Sequence, residues 1–198
     1  GLMCGKYRLS WDGANLPFGA DMRQWLLEHP EVELTSGDIV PSLAAPVMTA
    51  AGWRAMRFGI QASFMKRALI NARSETAAER AAFAPLLKSG RCLVPADAFY
   101  EWSKEKEPFL FALPGGMMYM AGLYADEGTL PGFVILTREA AGRLADIHPR
   151  MPLILGSMEL REAWLRQDGL AEAILKLPDE ALHGPLTEAP GLKAEDGG

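Results

Sequence analysis

Cysteine and histidine are scarce in this sequence. Its 198 residues include two cysteines, Cys4 and Cys92, and three histidines, His29, His148 and His183. Two cysteines exclude a disulfide-stapled secreted scaffold and suit a reducing cytoplasm. A four-cysteine zinc site is excluded too, and a mixed site would have to gather widely scattered ligands. Long apolar runs are also missing. The longest uncharged stretch, Phe109–Ala125, is broken by Pro114-Gly115-Gly116. It fits two strands joined by a turn better than a membrane helix of about 20 residues. The start, Gly1-Leu2-Met3-Cys4-Gly5, lacks the basic region and apolar core of a secretory signal. Gly1-Leu2 reads as a cloning remnant ahead of a natural start at Met3. Internal repeats and low-complexity segments are absent.

Acidic residues are missing from one long stretch. Between Asp38 and Glu75 there is no Asp or Glu, while Arg54, Arg57, Lys66, Arg67 and Arg73 all fall there. That stretch is strongly basic in a chain of net charge −5. Trp53, Phe58 and Phe64 are interleaved with the cations. Such a mixture suits single-stranded nucleic acid, whose phosphates take the cations and whose bases take the rings. On charge alone it suits better one basic face on an acidic protein with its aromatics in the core, since global acidity weakens non-specific attraction to DNA.

What is present otherwise is ordinary. Hydrophobic residues make up 49% and charged residues 23%, values of a globular chain, and the length favours one domain with one core. Spacing predicts strands at Cys4–Ser10, Trp53–Ile60, Cys92–Val94, Ala98–Trp102, Phe109–Leu113, Met117–Tyr124, Phe133–Leu136 and Pro152–Leu155. Extended chain is expected over Ile39–Gly52, which holds Pro41 and Pro46. Helices are predicted at Asp21–Glu28, Arg138–Ile147 and Met158–Gln167. The strongest helical signal runs from Ser74, a candidate N-cap, through an Ala-rich stretch to Gly90. Strands outnumber helices, so the expected class is α+β: a single domain over residues 3–186 with a curved, mostly antiparallel, barrel-like sheet core flanked by helices. Residues 187–198 read as a loosely held tail.

If Met3 is removed, Cys4 becomes N-terminal and presents two nucleophiles on adjacent carbons. An α-amine titrates at about 7.7–8.0, against about 10.4 for a lysine amine, so far more of it is free base at neutral pH. The amine can condense with an aldehyde to an imine, and the thiol can then close a five-membered thiazolidine. While residues precede Cys4, its nitrogen is an amide and forms no imine. Read alone, Cys4 is more readily a small buried hydrophobe.

Four further segments bear on this choice: Asn71-Ala72-Arg73-Ser74-Glu75-Thr76, Arg91 to Trp102 (RCLVPADAFYEW), Ile135-Leu136-Thr137 and His148-Pro149-Arg150-Met151-Pro152. Together with Met3-Cys4-Gly5, in order and spacing, they resemble the SOS-response-associated peptidase (SRAP) family over about residues 3 to 155. The resemblance implies a DNA-damage protein that binds single-stranded DNA and crosslinks covalently to abasic sites. By it, Cys4 is the nucleophile, and Asn71, Glu101 and His148 are its catalytic partners. It also implies autoproteolytic exposure of the cysteine and possible lyase activity. No metal and no organic cofactor are called for. A cytoplasmic protein, nucleoid-associated when on DNA, is expected.

The chemistry of each residue type fits its implied role. Glu101 lies in an apolar strand, where burial would raise its pKa and let it shuttle protons; on composition alone it is also a solvent-facing Glu. Asn71 can hold the cysteine amine, or be a turn residue. His148, before a proline, can act as acid or stabilise an oxyanion, or be a surface loop residue. Arg73 is placed to grip a phosphate, or to pair with Glu75. Trp102, on the opposite strand face from Glu101, can support a base or the core. Pro41, Phe58, Thr137 and Arg150 match positions near the family's DNA channel, and Cys92 reads as packing. Lys6 stands where the family usually has Arg, keeping charge but losing the bidentate fork. Phe58-Gly59-Ile60-Gln61-Ala62 replaces the usual Trp-Gly-Leu-x-Pro, Ala98 a common Gly and Pro149 a common Asp. These departures bear on contact with the DNA backbone more than on crosslinking. Two other readings stay open: a cysteine amidohydrolase of the N-terminal-nucleophile kind, and a non-catalytic single-stranded DNA module.

Overall fold

In the computed structural model, residues 4–11 and 20–191 are described. The chain runs β1 (Tyr7–Leu9), α1 (Ala20–Glu28), β2 (Gly37–Ile39), β3 (Ala44–Thr49), β4 (Gly52–Phe58), β5 (Asn71–Arg73) and α2 (Ala84–Ser89). It continues with β6 (Arg91–Ala96), β7 (Ala98–Trp102), β8 (Pro108–Ala112), β9 (Met118–Ala125), β10 (Gly132–Glu139) and β11 (Arg150–Pro152). Last come α3 (Met158–Arg166), α4 (Ala171–Leu175), α5 (Asp179–Leu182) and β12 (Thr187–Pro190).

Two sheets share the core. One has the order β12-β8-β7-β1-β2 and is antiparallel throughout. The other runs β11-β10-β4-β3-β6-β9, and β9 pairs back onto β10, closing the sheet on itself. Closure removes free edges from this sheet. Only β4 and β5 lie parallel to β10. The α+β class with a barrel-like, mostly antiparallel core is therefore what the chain adopts.

Burial explains the strands. Every residue of β6 is buried, as are Gly132 to Thr137 of β10, because both faces of these strands are covered. Between the sheets, Phe58 stacks on Phe133 with centroids 5.1 Å apart and leans on Tyr7 at 5.7 Å. On the outer face, α2, α3 and α4 bury Leu87, Trp164 and Ile174. The Trp164 indole N–H donates to the carbonyl of Cys92 at 2.9 Å, so the polar end of that ring is satisfied too.

Several expectations are corrected. The helix expected from Ser74 to Gly90 is confined to Ala84–Ser89. Ser74 donates its N–H to the carbonyl of Thr137 at 2.8 Å, which holds it on the sheet beyond β5. Separate turns follow, such as Arg80 N–H to Thr76 and Ala84 N–H to Arg80, so tertiary pairing overrides alanine propensity. Arg138 and Glu139 stay in β10 because β11 pairs with them, and only Gly142–Asp146 winds, as a 3-10 turn. The strand expected at Pro152–Leu155 is shifted to Arg150–Pro152, with Ile154 bridging Met120. Thr187–Pro190 is not a loose tail; it pairs with β8. Met3, the expected cloning remnant and residues 192–198 lie outside the described residues.

The first test concerns this core. Phe58 is 0% exposed. Phe58→Ala should lower unfolding stability by about 3–5 kcal/mol in urea denaturation, the usual loss for a buried aromatic.

Candidate active site

Antiparallel pairing of β1 with β7 sets Tyr7 opposite Phe99, and the Tyr100 N–H donates to the carbonyl of Lys6 at 3.0 Å. Followed back along β1, this register brings Cys4 to Glu101. The Cys4 backbone N–H donates to Glu101 Oε1 at 3.2 Å. Glu101 Oε2 lies 3.5 Å from His148 Nδ1. That nitrogen also lies 3.1 Å from both the backbone N–H and the carbonyl of Arg150, which orient the ring whether Nδ1 accepts or donates. Cys4, Glu101 and His148 thus converge from three distant parts of the chain.

Cys4 and Glu101 are enclosed, and His148 is half-buried. Cys4 is 3% exposed and Glu101 1% exposed. Burial pushes the Glu101 carboxyl up to about 8, partly opposed by hydrogen bonds from the Cys4 thiol and N–H. Burial likewise raises the Cys4 thiol well above its ordinary value, and the neighbouring Glu101 adds to this. Cys4 also has φ +45°, a left-handed conformation disfavoured for a side chain with a Cβ.

A cavity of about 930 Å³ opens beside the cluster. Gly5, Glu101 and His148 line it, with Pro41, Val40, Trp102, Ile147 and Pro149 as largely apolar walls and Lys6 at one side. Cys4 itself does not line the cavity; its chain neighbour Gly5 and its hydrogen-bond partner Glu101 do. Lys6 is not a free cation: its Nζ is 3.1 Å from Asp38 Oδ2 and sits 4.5 Å over the Tyr100 ring. Tyr100 Oη donates to Asp38 Oδ1 at 3.1 Å, and Arg8 Nε is 3.9 Å from the same oxygen. Asp38 is thus a hub beside the site. Sequence reasoning missed it, since nothing in one chain marks a lone Asp as the partner of two cations on another strand.

Asn71 stands on β5, half-buried, and its Nδ2 donates to the carbonyls of Ile70 (3.0 Å) and Ile135 (3.3 Å), not to Cys4. Arg73 is exposed two residues on. Its alternative pairing with Glu75 does not form, because Glu75 takes Arg150 in a bidentate pair, both contacts at 2.8 Å. These hydrogen bonds hold the Glu75 carboxyl below the usual carboxylate range.

Three of the expected DNA-contacting residues are turned inward. Arg150 is 9% exposed and spends its guanidinium on Glu75 and on Thr137 Oγ1 at 3.1 Å. Thr137 is 0% exposed, so its hydroxyl serves Arg150. Phe58 stacks on Phe133 and offers no free face to a base. Arg150 and Thr137 knit β10, β11 and the turn after β5, fixing the strand that presents its N–H to His148. Phe64, by contrast, is 84% exposed and leads into exposed Lys66 and Arg67.

The model of the SOS response associated peptidase (SRAP) family matches residues 3–186, and the chain belongs to that family. Among named relatives it is 41% identical over 111 residues to the abasic site processing protein YedK of Escherichia coli (strain K12), covering 52% of this chain and 50% of that one. It is 42% identical over 107 residues to YoaM of Bacillus subtilis (strain 168), 49% of this chain and 47% of that protein. To HMCES of Mus musculus it is 30% identical over 155 residues, covering 56% of this chain and 44% of that one. The chain thus spans about half the length of the curated relatives it matches. Two crystal structures share the fold. A Bacteroides thetaiotaomicron protein superposes with TM-score 0.73 at 20% identity, covering 94% of this chain and 91% of that one. A phage-related protein of Bordetella bronchiseptica gives TM-score 0.71 at 24% identity, covering 96% of this chain and 95% of that one.

Glu101 makes stability pH-dependent in a definite sense. Its folded value of about 8 lies above the ordinary 4.5, so the folded state holds an extra proton between those pH values. Stability then falls as pH rises through that window. Glu101→Gln should flatten this dependence when denaturation midpoints are compared from pH 5 to pH 8.

Proposed function

We propose that this protein traps abasic sites in single-stranded DNA as a thiazolidine on a freed Cys4. The single observation that carries the reading is the 3.2 Å contact between the Cys4 nitrogen and Glu101 Oε1. The relatives' names, abasic site processing proteins, agree with it.

The ring-opened deoxyribose offers an aldehyde at C1′. The Cys4 amine adds to that carbon and gives a carbinolamine. Glu101, held largely protonated at neutral pH by burial, donates its proton to the departing hydroxyl. Water leaves and an imine remains. The Cys4 thiol then adds to the imine carbon while its proton passes to the nitrogen, closing the ring. One C–N and one C–S bond form, and the aldehyde oxygen leaves as one water. His148, next to Glu101 Oε2, serves to return the proton to the carboxylate. If the imine persists, loss of a C2′ proton expels the 3′ phosphate, a lyase outcome from the same intermediate.

The amine must first be released from the residue before it. The left-handed φ of Cys4 favours that release: such a conformation costs about 1–3 kcal/mol and is relieved once the nitrogen is an amine with no preceding carbonyl. The same site acting on that peptide bond would be the autopeptidase activity. A thiolate hydrolase fits less well, because burial keeps the thiol protonated.

For DNA, Pro41 and Trp102 form a wall of the cavity and Arg73 is an exposed cation at the end of β5. Exposed Phe64, with Lys66 and Arg67, adds a ring and two cations suited to a single strand. Phe64→Ala should weaken binding to single-stranded DNA by roughly fivefold or more in fluorescence anisotropy, the lower range for one lost base stack.

Protein beginning at Cys4, mixed with an abasic-site oligonucleotide, should give a heat-stable shifted band on a denaturing gel. Cys4→Ala should abolish it, and Glu101→Gln should slow it about 100-fold or more, the usual worth of a general acid. An equal band from Cys4→Ala would mean that the covalent bond forms at another residue, and Cys4 would no longer be the nucleophile.

A further inference from the structure

The geometry points to the β7–β8 turn as a second DNA-binding element: Lys104 and Lys106 form a phosphate clamp on the rim of the catalytic cavity. This inference rests on the abasic-site reading and extends it to how the strand is held.

Both lysines line the cavity that Glu101 and His148 line, and they stand on the continuation of the strand that carries Glu101 and Trp102. Both are exposed, and among the described residues neither has an ion-pair partner despite Glu105 and Glu107 beside them in sequence. Lys6, the cavity's third cation, is already held by Asp38 at 3.1 Å. The free positive charge facing the cavity therefore comes from this turn. Its walls, Val40, Pro41, Trp102 and Ile147, suit a base or sugar, and a single strand seated there carries phosphates to the rim.

The backbone supplies a separate argument. The turn is closed by bonds from Lys106 N–H to the Ser103 carbonyl (3.0 Å) and from Ser103 N–H to the Glu107 carbonyl (2.9 Å). The Ser103 hydroxyl also accepts the Glu107 N–H at 3.2 Å. The turn is therefore defined, and within it Lys106 adopts φ +62°. Glycine or asparagine would occupy that conformation more cheaply. A long cationic side chain at a position that disfavours it, on the rim of the cavity holding the reactive cluster, fits a binding role better than a packing role.

The ligand is a phosphodiester of single-stranded DNA next to the lesion. The test uses the full chain and a single-stranded oligonucleotide with a tetrahydrofuran abasic analogue, which has no aldehyde and cannot crosslink. Affinity is measured by anisotropy from 50 to 200 mM salt for wild type, Lys106→Gly, Lys104→Gln/Lys106→Gln and, as a control distant from the cavity, Lys176→Gln. Each lost phosphate contact should reduce the slope of log K against log salt by about 0.7. The double variant should therefore lose about 1.4 from the slope. Lys106→Gly should lose affinity while its thermal midpoint stays level or rises, an outcome no structural role of the side chain produces. Slopes and affinities equal to wild type in both variants overturn the clamp. So does a slope change matched by Lys176→Gln. Crosslinking to a true abasic site is scored separately with protein beginning at Cys4. Retained crosslinking with unchanged slopes removes the clamp alone. Absent crosslinking with altered slopes removes the Cys4 chemistry alone.

Discussion

The contact between the Cys4 nitrogen and the Glu101 carboxyl is the constraint on which the site depends. It exists because two short strands, β1 and β7, pair antiparallel and bring residues 97 positions apart into hydrogen-bond range. Everything else around it adjusts the proton on that carboxyl. Burial pushes it on, the Cys4 hydrogen bonds pull it off, and His148 stands at the second oxygen. A carboxyl poised near neutral pH is suited to losing and regaining a proton within one turnover. The same burial keeps the thiol in its protonated form.

Around this centre the cations divide into two kinds. Arg150 and Lys6 are committed to carboxylates, Arg150 to Glu75 and Lys6 to Asp38. Arg150 thereby braces the segment that orients His148, through its own backbone N–H. Arg73, Lys66, Arg67, Lys104 and Lys106 remain uncommitted and exposed among the described residues. In a chain of net charge −5, uncommitted positive charge is local, and around this centre it is gathered at these five positions.

Much of the fold is legible in the sequence for a plain reason. β7 has the bounds its sequence predicts, since an apolar segment between turn signals has few alternatives. The segment after Asn71 defeats such reading because alanine-rich spacing speaks for a helix, while the bond from Ser74 to Thr137 that forbids it comes from 63 residues away. The short helices α4 and α5 carry too few residues to show a period. At the site, residue types single out Cys4, Glu101 and His148 through a family pattern, and the fold gathers them. Phe58, Thr137 and Arg150 carry the same pattern, yet they are buried by partners a single sequence does not display. Asn71 belongs to that pattern as well, but its amide is tied to the sheet rather than to the cysteine.

The most direct measurement is the pH–rate profile of single-turnover crosslinking, taken from pH 5 to pH 10 with protein beginning at Cys4 and repeated with Glu101→Gln. The free amine should give a rising limb in both proteins. In wild type, loss of the Glu101 proton should add a falling limb centred near pH 8, and the Gln variant should lack it. A falling limb that persists unchanged in Glu101→Gln would show that the proton comes from elsewhere, and Glu101 would no longer be the acid at this site.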